Sequence, residues 1–439
     1  MKVRILGLAT LFLIVVQFSY AQEEVSLEQV ITLALERNYD VRLAKNLSVA
    51  ASTDKNFALA ALLPQLNATG AILWNNNEQT LQFQDATRNN SGKAQSENTT
   101  ASVQLNWILF DGTRMFATLD RINAIDAQGR MLVKDQMVNT IAMIITSYYD
   151  IVRQKQQLKA IQEQMAVSEE RVKLADRKLQ VGTGGKPELL QARVDYNAQR
   201  TQVLQQEAAI ASLKEQLNSL VDSQLSSGYE VADSIVIDLN LREEELSNNL
   251  EQSNFSLLTS KLDIEIASLA RRERRAELSP VLSFNSAFNY NQTDNTKLIN
   301  PFAALFSQTQ GYNYGFTINI PILNGLNTQR LIRQSTVAYD RQRLLYDQLK
   351  TNVSVGLKNA YVNYDNAKKV LLVEEETILL AKENVFIALE SFKRSVATFI
   401  ELRTAQQSLA DAYNRLITAR YNAKVAETEL LRISGKLLK

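Results

Sequence analysis

Cysteine and histidine are both absent from the 439 residues. That excludes thiol nucleophiles, disulfides, imidazole bases, His- or Cys-built zinc and haem sites, and a cysteine-linked lipid anchor. Proline (5) and glycine (14) are scarce, so few residues are available to end an element, and long uninterrupted ones are expected. Neither sign of charge dominates. The 48 Lys+Arg face 47 Asp+Glu, leaving no net field to draw nucleic acid. An enzyme would be confined to carboxylate, Lys, Tyr or Ser chemistry. The acidic runs Glu374-Glu375-Glu376 and Glu243-Glu244-Glu245 read as solvated helix faces. No catalytic residue, metal site or cofactor is expected.

At the amino end, Lys2 and Arg4 precede an apolar run from Ile5 to Phe18, followed by Ser19-Tyr20-Ala21. The pattern predicts a secretory signal peptide over 1–21. The run is short of the ~20 residues of a membrane span, and no long uncharged apolar stretch follows. Periplasmic, secreted or outer-membrane-barrel placements remain.

What the chain does contain is an internal repeat. Asn38–Leu66 aligns without gaps on Asn254–Leu282, matching Lys45/Lys261, Ala51/Ala267, Pro64/Pro280 and Leu66/Leu282 at a shift of 216. From Leu105–Gly112 on Ile318–Gly325 the shift is 213, held through Asn139/Asn352, Tyr148/Tyr361, Val172/Val385, Glu188/Glu401 and Ala192/Ala405. Two copies of a unit of about 215 residues are implied.

Each copy opens helically. Ser26 and Gln29 form a capping-box pattern, and helical stretches are expected over Asp40–Leu62 and Asn254–Ser279. The period then changes to 2. Leu66, Ile72 and Trp74, then Leu105 and Trp107, then Phe284 and Phe288, then Tyr314, Phe316 and Ile318 fall on apolar faces. The alternate positions are Asn, Thr, Ser, Gln and Gly, without charge. A soluble sandwich would carry Lys and Glu there, so a lipid-facing membrane barrel fits better. The stretches Asn75–Glu97 and Gln292–Gln310 read as exposed loops. Beyond Asp111-Gly112 and Asn324-Gly325, turns from strand to helix, come very long helices with coiled-coil spacing: Leu158, Ile161, Met165, Ser168, Val172, Ala175 and Leu179, then Leu371, Ile378, Ala381, Val385, Ala388 and Phe392. Turns at Gly182 and Ser395 start returning helices of about 33 residues. The opening helices, stacked on these, would make up the missing length, and 221–252, with strand-like Ser234–Ile237, would sit at the join. Arg271-Arg272-Glu273-Arg274-Arg275, just before the third strand, reads as a solvated or headgroup-facing cluster.

These residues resemble a family. Phe110-Asp111-Gly112 and Pro321-Ile322-Leu323-Asn324-Gly325 are similar to the strand-to-helix signature of the TolC-like outer-membrane efflux and secretion channels. Gly182 with Glu188-Leu189-Leu190-Gln191-Ala192 is similar to their hairpin signature. The series covers the mature chain twice over. Departures are Ile108 for a proline, Ser395 for the second hairpin glycine, and Ala397 and Thr404 where some members carry charge.

The resemblance implies a mainly α fold with a membrane β-barrel portion. Two tandem repeats would supply four strands per subunit to a shared 12-stranded barrel, and long antiparallel hairpins would form a periplasmic α-barrel. The expected layout is 22–252 for the first repeat (strand pair about 66–110, hairpin about 113–220, equatorial segment 221–252). The second, 253–439, holds a strand pair about 282–323 and a hairpin about 326–433. The expected function is the exit duct of a tripartite efflux or type I secretion system, in the outer membrane and reaching into the periplasm. Its partners would be two further copies, a periplasmic adaptor, an inner-membrane pump and outer-membrane lipid, with no nucleic acid. A periplasmic gate is expected at Gly182, Glu188, Phe392, Ser395 and Glu401, the two glutamates forming rings in a trimer. A first-turn acid such as Glu188 is equally a helix-dipole partner, whereas at Glu401 the resemblance favours the gate, the matching family position commonly carrying a pore-lining Asp. The alternative is a soluble periplasmic coiled-coil adaptor, which has one hairpin where this chain has two. The sequence does not specify the cargo.

Overall fold

The computed structural model describes residues 24–225, 228–300, 302–394 and 396–438; the expected signal peptide, 1–21, lies outside them. In chain order come α1 (Leu27–Arg37), α2 (Tyr39–Asn56), β1 (Gln65–Leu81), β2 (Asn90–Phe110), α3 (Arg114–Gln180) and α4 (Lys186–Leu220). Two short helices follow, α5 (Glu243–Ser247) and α6 (Leu250–Ser253), then α7 (Phe255–Ala276), β3 (Val281–Lys297), β4 (Phe306–Asn319), α8 (Asn327–Lys393) and α9 (Phe399–Ile433). The repeat recurs in the elements. Helices α3 and α8 each have 67 residues and α4 and α9 each 35, while β1 and β3 each have 17. At 1.5 Å per residue the long helices measure about 100 Å and the returning ones about 50 Å.

The chain divides into two compact units. One, the helical unit, comprises the chain up to Lys45, Val133–Phe255 and the chain from Lys350. Its α1 starts with the capping box: Ser26 Oγ accepts from the Gln29 amide (3.2 Å), and Gln29 Oε1 accepts from the Ser26 amide (2.9 Å). Val30 and Ala34 are thereby set against Ile144 and Tyr148 of α3 and Leu217 of α4, all buried. Burying one such large apolar side chain contributes about 1.5–3 kcal/mol. In the second hairpin, Leu371 and Ile378 pack on Ala412, Leu416, Ala419 and Ala423. The heptad stripe is the buried seam, and alanines opposite bulky residues let the two helices close.

Two aligned asparagines join the short helices to the returning ones. Asn38 Nδ2 donates to the Leu220 carbonyl (3.0 Å) and Asn254 Nδ2 to the Ile433 carbonyl (2.8 Å), the last residues of α4 and α9. Asn38 Oδ1 also accepts from the amides of Asp40 and Val41. One side chain thus satisfies an orphan carbonyl at one helix end and orphan amides at the next start. The α-helical part of α2 ends at Asn56 and a 3-10 turn, Ala58–Leu62, completes the stretch expected to be one helix.

Ser234–Ile237 is not a strand. Nearby backbone groups bond to helix side chains instead of to a neighbouring strand. Tyr148 Oη accepts from the Ala232 amide (3.0 Å), Lys155 Nζ donates to the Val231 carbonyl (3.1 Å), and Gln156 Nε2 to that of Asp233 (2.7 Å). From the second repeat, Glu427 Oε2 accepts from the Asp238 amide (3.1 Å), Tyr364 Oη donates to the Asp238 carbonyl (2.6 Å) and Lys368 Nζ to that of Leu239 (2.6 Å).

The second unit, Asn46–Leu132 with Ser256–Leu349, holds a four-stranded antiparallel sheet in the order β1-β2-β3-β4. The stretches expected as loops are mostly strand: only 82–89 and 298–305 separate the paired strands. A ladder needs backbone partners rather than apolar side chains, and polar pairs reinforce it: Asn75 Nδ2 to Ser96 Oγ (3.3 Å), Gln95 Nε2 to Asn76 Oδ1 (3.0 Å). Strand β4 stops at Asn319, short of the expected 323, because Pro321 cannot donate to a ladder. Among the described residues no helix is long and apolar enough to cross a membrane.

Candidate functional site: the sheet faces and the hairpin turns

Register decides which side chains share a face. Leu66 pairs with Leu105, Ile72 with Thr99 and Trp74 with Glu97. Trp107 pairs with Phe284, Val103 with Phe288 and Leu105 with Ser286. Phe284 pairs with Phe316, Ser286 with Tyr314 and Leu282 with Ile318. All ten residues expected to face lipid therefore lie on one face of the sheet, across four strands from distant parts of the chain. Eight of them are exposed, from Trp107 at 40% to Trp74 and Tyr314 at 74%. Leu105 and Phe284, on the inner strands, are half-buried. Phe284 and Phe316 rings tilt together at 5.3 Å, and Trp107 Nε1 donates to the Leu62 carbonyl (2.8 Å).

The other face is a polar ladder. Thr69 and Ser102 hydroxyls bond at 3.0 Å, Gln104 Nε2 donates to Ser102 Oγ (3.1 Å), and Asn285 Nδ2 donates to Thr317 Oγ1 (3.0 Å). Toward the loop end the apolar face turns polar as well: Tyr290 Oη donates to Gln292 Oε1, and Gln292 Nε2 to Asp294 Oδ2. Strands β1 and β4 are the two edges, so each leaves a row of backbone donors and acceptors unpaired within this chain.

The strand-to-helix turns use the same backbone twice. Gly112 and Thr113 have φ of 72° and 70°; Gly325 and Leu326 have 65° and 61°. Asp111 Oδ1 caps α3 through the Met115 amide (3.1 Å), and Asn324 Nδ2 bonds Thr328 Oγ1. At the opposite ends of α3 and α8 lie the hairpin turns. Gly182 has φ 82°, and Glu188 sits in the first turn of α4 behind Gly185 and Pro187. In the second hairpin Ser395 is outside the described residues. Glu401 closes a capping box there: Glu401 Oε2 accepts from the Thr398 amide (2.8 Å) while Thr398 Oγ1 accepts from the Glu401 amide (3.3 Å). Phe392 is buried, with Lys178 Nζ 4.4 Å from its ring centroid.

The turns also bring together groups that the sequence reading passed over. Buried Arg171 pairs with Asp195 (2.6 Å) and lies over the Phe399 ring (5.0 Å); Arg403 is 3.6 Å from the same carboxylate. Asp195 thus stands between one arginine of each hairpin. The repeat hides this cluster, because the positions matching Arg171, Asp195 and Arg403 are Asn384, Ser408 and Leu190. Among the described residues no three acidic side chains cluster so as to hold a metal ion.

Comparison with known proteins gives one answer. The family model described as outer membrane efflux protein matches this chain twice, over residues 30–222 and 246–436. The chain is 21% identical over 405 residues to the outer membrane protein TolC of Vibrio cholerae, covering 89% of this chain and 87% of that one. It is 23% identical over 349 residues to the outer membrane efflux protein BepC of Brucella suis, covering 77% and 72%. In fold it is similar to the CmeC outer membrane channel of Campylobacter jejuni, with TM-score 0.76 and 15% identity over 93% of this chain and 85% of that one. The chain belongs to the outer membrane efflux protein family, non-enzymatic TolC-like channels that reach from the outer membrane into the periplasm and work as trimers with efflux pumps.

Proposed function

We propose that three copies close one 12-stranded barrel by pairing β4 of each with β1 of the next, the apolar face outward in lipid and the Asn/Thr/Ser face inward on water. The carrying observation is the register: one apolar and one neutral-polar face on a sheet with two unpaired edges. Four strands cannot close a membrane barrel, and an open edge in hydrocarbon leaves backbone groups unsatisfied at several kcal/mol each. The duct receives cargo from an inner-membrane pump through a periplasmic adaptor that meets the hairpin turns. Those turns gate it, with Glu188 as a half-buried acid, the exposed Glu401 shared between charge and cap, and Phe392 packing the closed tip. Molecular mass in detergent and planar-bilayer recording test the reading together. A trimer that conducts is expected; a stable monomer would sink it.

A further inference from the structure

Charge is distributed unevenly on the sheet unit. Arg271, Arg272, Arg274 and Arg275 close α7 just before β3, and Arg330 and Arg333 lie in the first two turns of α8. Over 271–277 and 327–333 only Glu273 and Glu277 oppose these six. The loop end of the same sheet, 75–98 and 291–306, carries four acids and three bases. Few of the arginines are neutralised. Arg272 is 3.6 Å from Asp120 and Arg274 2.7 Å from Glu277. Arg271 stacks 4.3 Å from the Tyr339 centroid, and Arg330 bonds the neutral Asn327 and Gln334. Among the described residues Arg275 and Arg333 have no ion-pair partner. Between the arginines and the strands stand exposed apolar side chains: Leu278 (55%), Ile322 (92%), Leu323 (81%) and Leu326 (59%).

We propose that these arginines form a collar binding the phosphates of anionic phospholipid in the leaflet at the helix end of the sheet. The proposal rests on the reading that the apolar face meets lipid. Apolar residue first, then guanidinium, is the order in which a chain leaving hydrocarbon meets acyl chains and then headgroups. A guanidinium forks onto phosphate oxygens, and each basic residue near an anionic surface is worth roughly a fivefold enrichment. The flanking apolar residues select a bilayer lipid over a soluble anion, which has no use for them. In the trimer the collar occurs three times.

The protein's two tryptophans make the test possible. Trp107 pairs with Phe284, near the start of β3, and Trp74 pairs with Glu97 toward the loops. The Trp74→Phe protein reports on the collar end and Trp107→Phe on the other. Each trimer is reconstituted in mixed phosphatidylglycerol and phosphatidylcholine vesicles in which one lipid or the other carries brominated acyl chains. Trp107 should be quenched preferentially by the brominated anionic lipid, with local enrichment on the order of fivefold or more, and Trp74 should show none. The preference should disappear in Arg274→Gln/Arg275→Gln/Arg330→Gln/Arg333→Gln. It should also fall in the unsubstituted collar at about 0.5 M salt, an arm that needs no arginine variant to fold. Equal quenching by both lipids, or equal preference at both tryptophans, overturns the collar while leaving the apolar face in lipid. No quenching by either lipid overturns the lipid-facing reading and the collar with it.

Discussion

Gly112 and Gly325 hold the same place in the repeat, in the same left-handed backbone, but in different surroundings. A Cβ on Gly112 would come within 2.3 Å of Ser279 Cβ and 2.6 Å of the Ala276 carbonyl oxygen; on Gly325 it would meet nothing within 4 Å of this chain. Gly325→Ala therefore costs only the left-handed backbone, about 1–2 kcal/mol, whereas Gly112→Ala adds a clash with the end of α7. Heat-resistance of the trimer on gels should fall much further for Gly112→Ala; equal losses would contradict the packing described. The two glutamates near the turns differ in another way. Gln can replace Glu in a capping box, so Glu401→Gln should remove charge and keep α9 intact, while Glu401→Ala should lose the Glu half of the box, about 0.3–1.5 kcal/mol. If the turns gate the duct, Glu188→Gln and Glu401→Gln lower cation preference and block by trivalent cations in bilayer recordings. Unaltered selectivity in both would leave the acids with their helix-capping roles alone. The Thr398-x-x-Glu401 pattern was present in the sequence; the Arg171–Asp195–Arg403 cluster was not legible, since its members are far apart and lack repeat partners.

At the scale of elements, the strands' alternation was readable because side chains of an extended chain must point alternately to its two faces. Register was not: a slip of one residue would turn a whole strand over. The bulge at Leu109 shows the consequence, since Ile108 pairs with Ser283 but Phe110 with Leu282, so facing changes within three residues. Phe316 and Thr317 sit next to each other on opposite faces. Phe316→Arg should cost about 2–4 kcal/mol of insertion if mid-bilayer, whereas Thr317→Arg should assemble and change conductance. Folding yield into vesicles and single-channel current measure the two. Loss of assembly by Thr317→Arg alone would reverse the assignment of faces.

For the whole molecule, the 229–242 segment matters beyond its length, because it is held by side chains from both repeats. Glu427 is buried there, bonded to the Asp238 amide and to Lys424 (2.9 Å). Burial pushes its carboxyl above the ordinary 4.5, with Lys424 opposing. A carboxyl raised in the folded state contributes stability that is fully present below its unfolded value and lost as pH rises through the folded one. Glu427→Gln keeps an acceptor for Asp238 and cannot titrate. The Tm difference between the two proteins should therefore shift in favour of the variant as pH rises from about 4 to 7; a shift the other way would show that the Lys424 pair outweighs burial.

The sequence by itself determined the repeat, the long helices with their heptad seams, the alternating strands and the strand-to-helix turns. The helices, strands and turns are local consequences of backbone geometry, written within a few residues, and the repeat writes each of them twice. Only the tertiary structure decided how far the strands run into the expected loops, and that the backbone on either side of Ser234–Ile237 takes its partners from helix side chains rather than from a strand. It alone showed that Asn38 and Asn254 stitch successive helices and that Asp195 lies between two arginines. Those pairings join groups tens to hundreds of residues apart, and their distances exist only once the helices have packed.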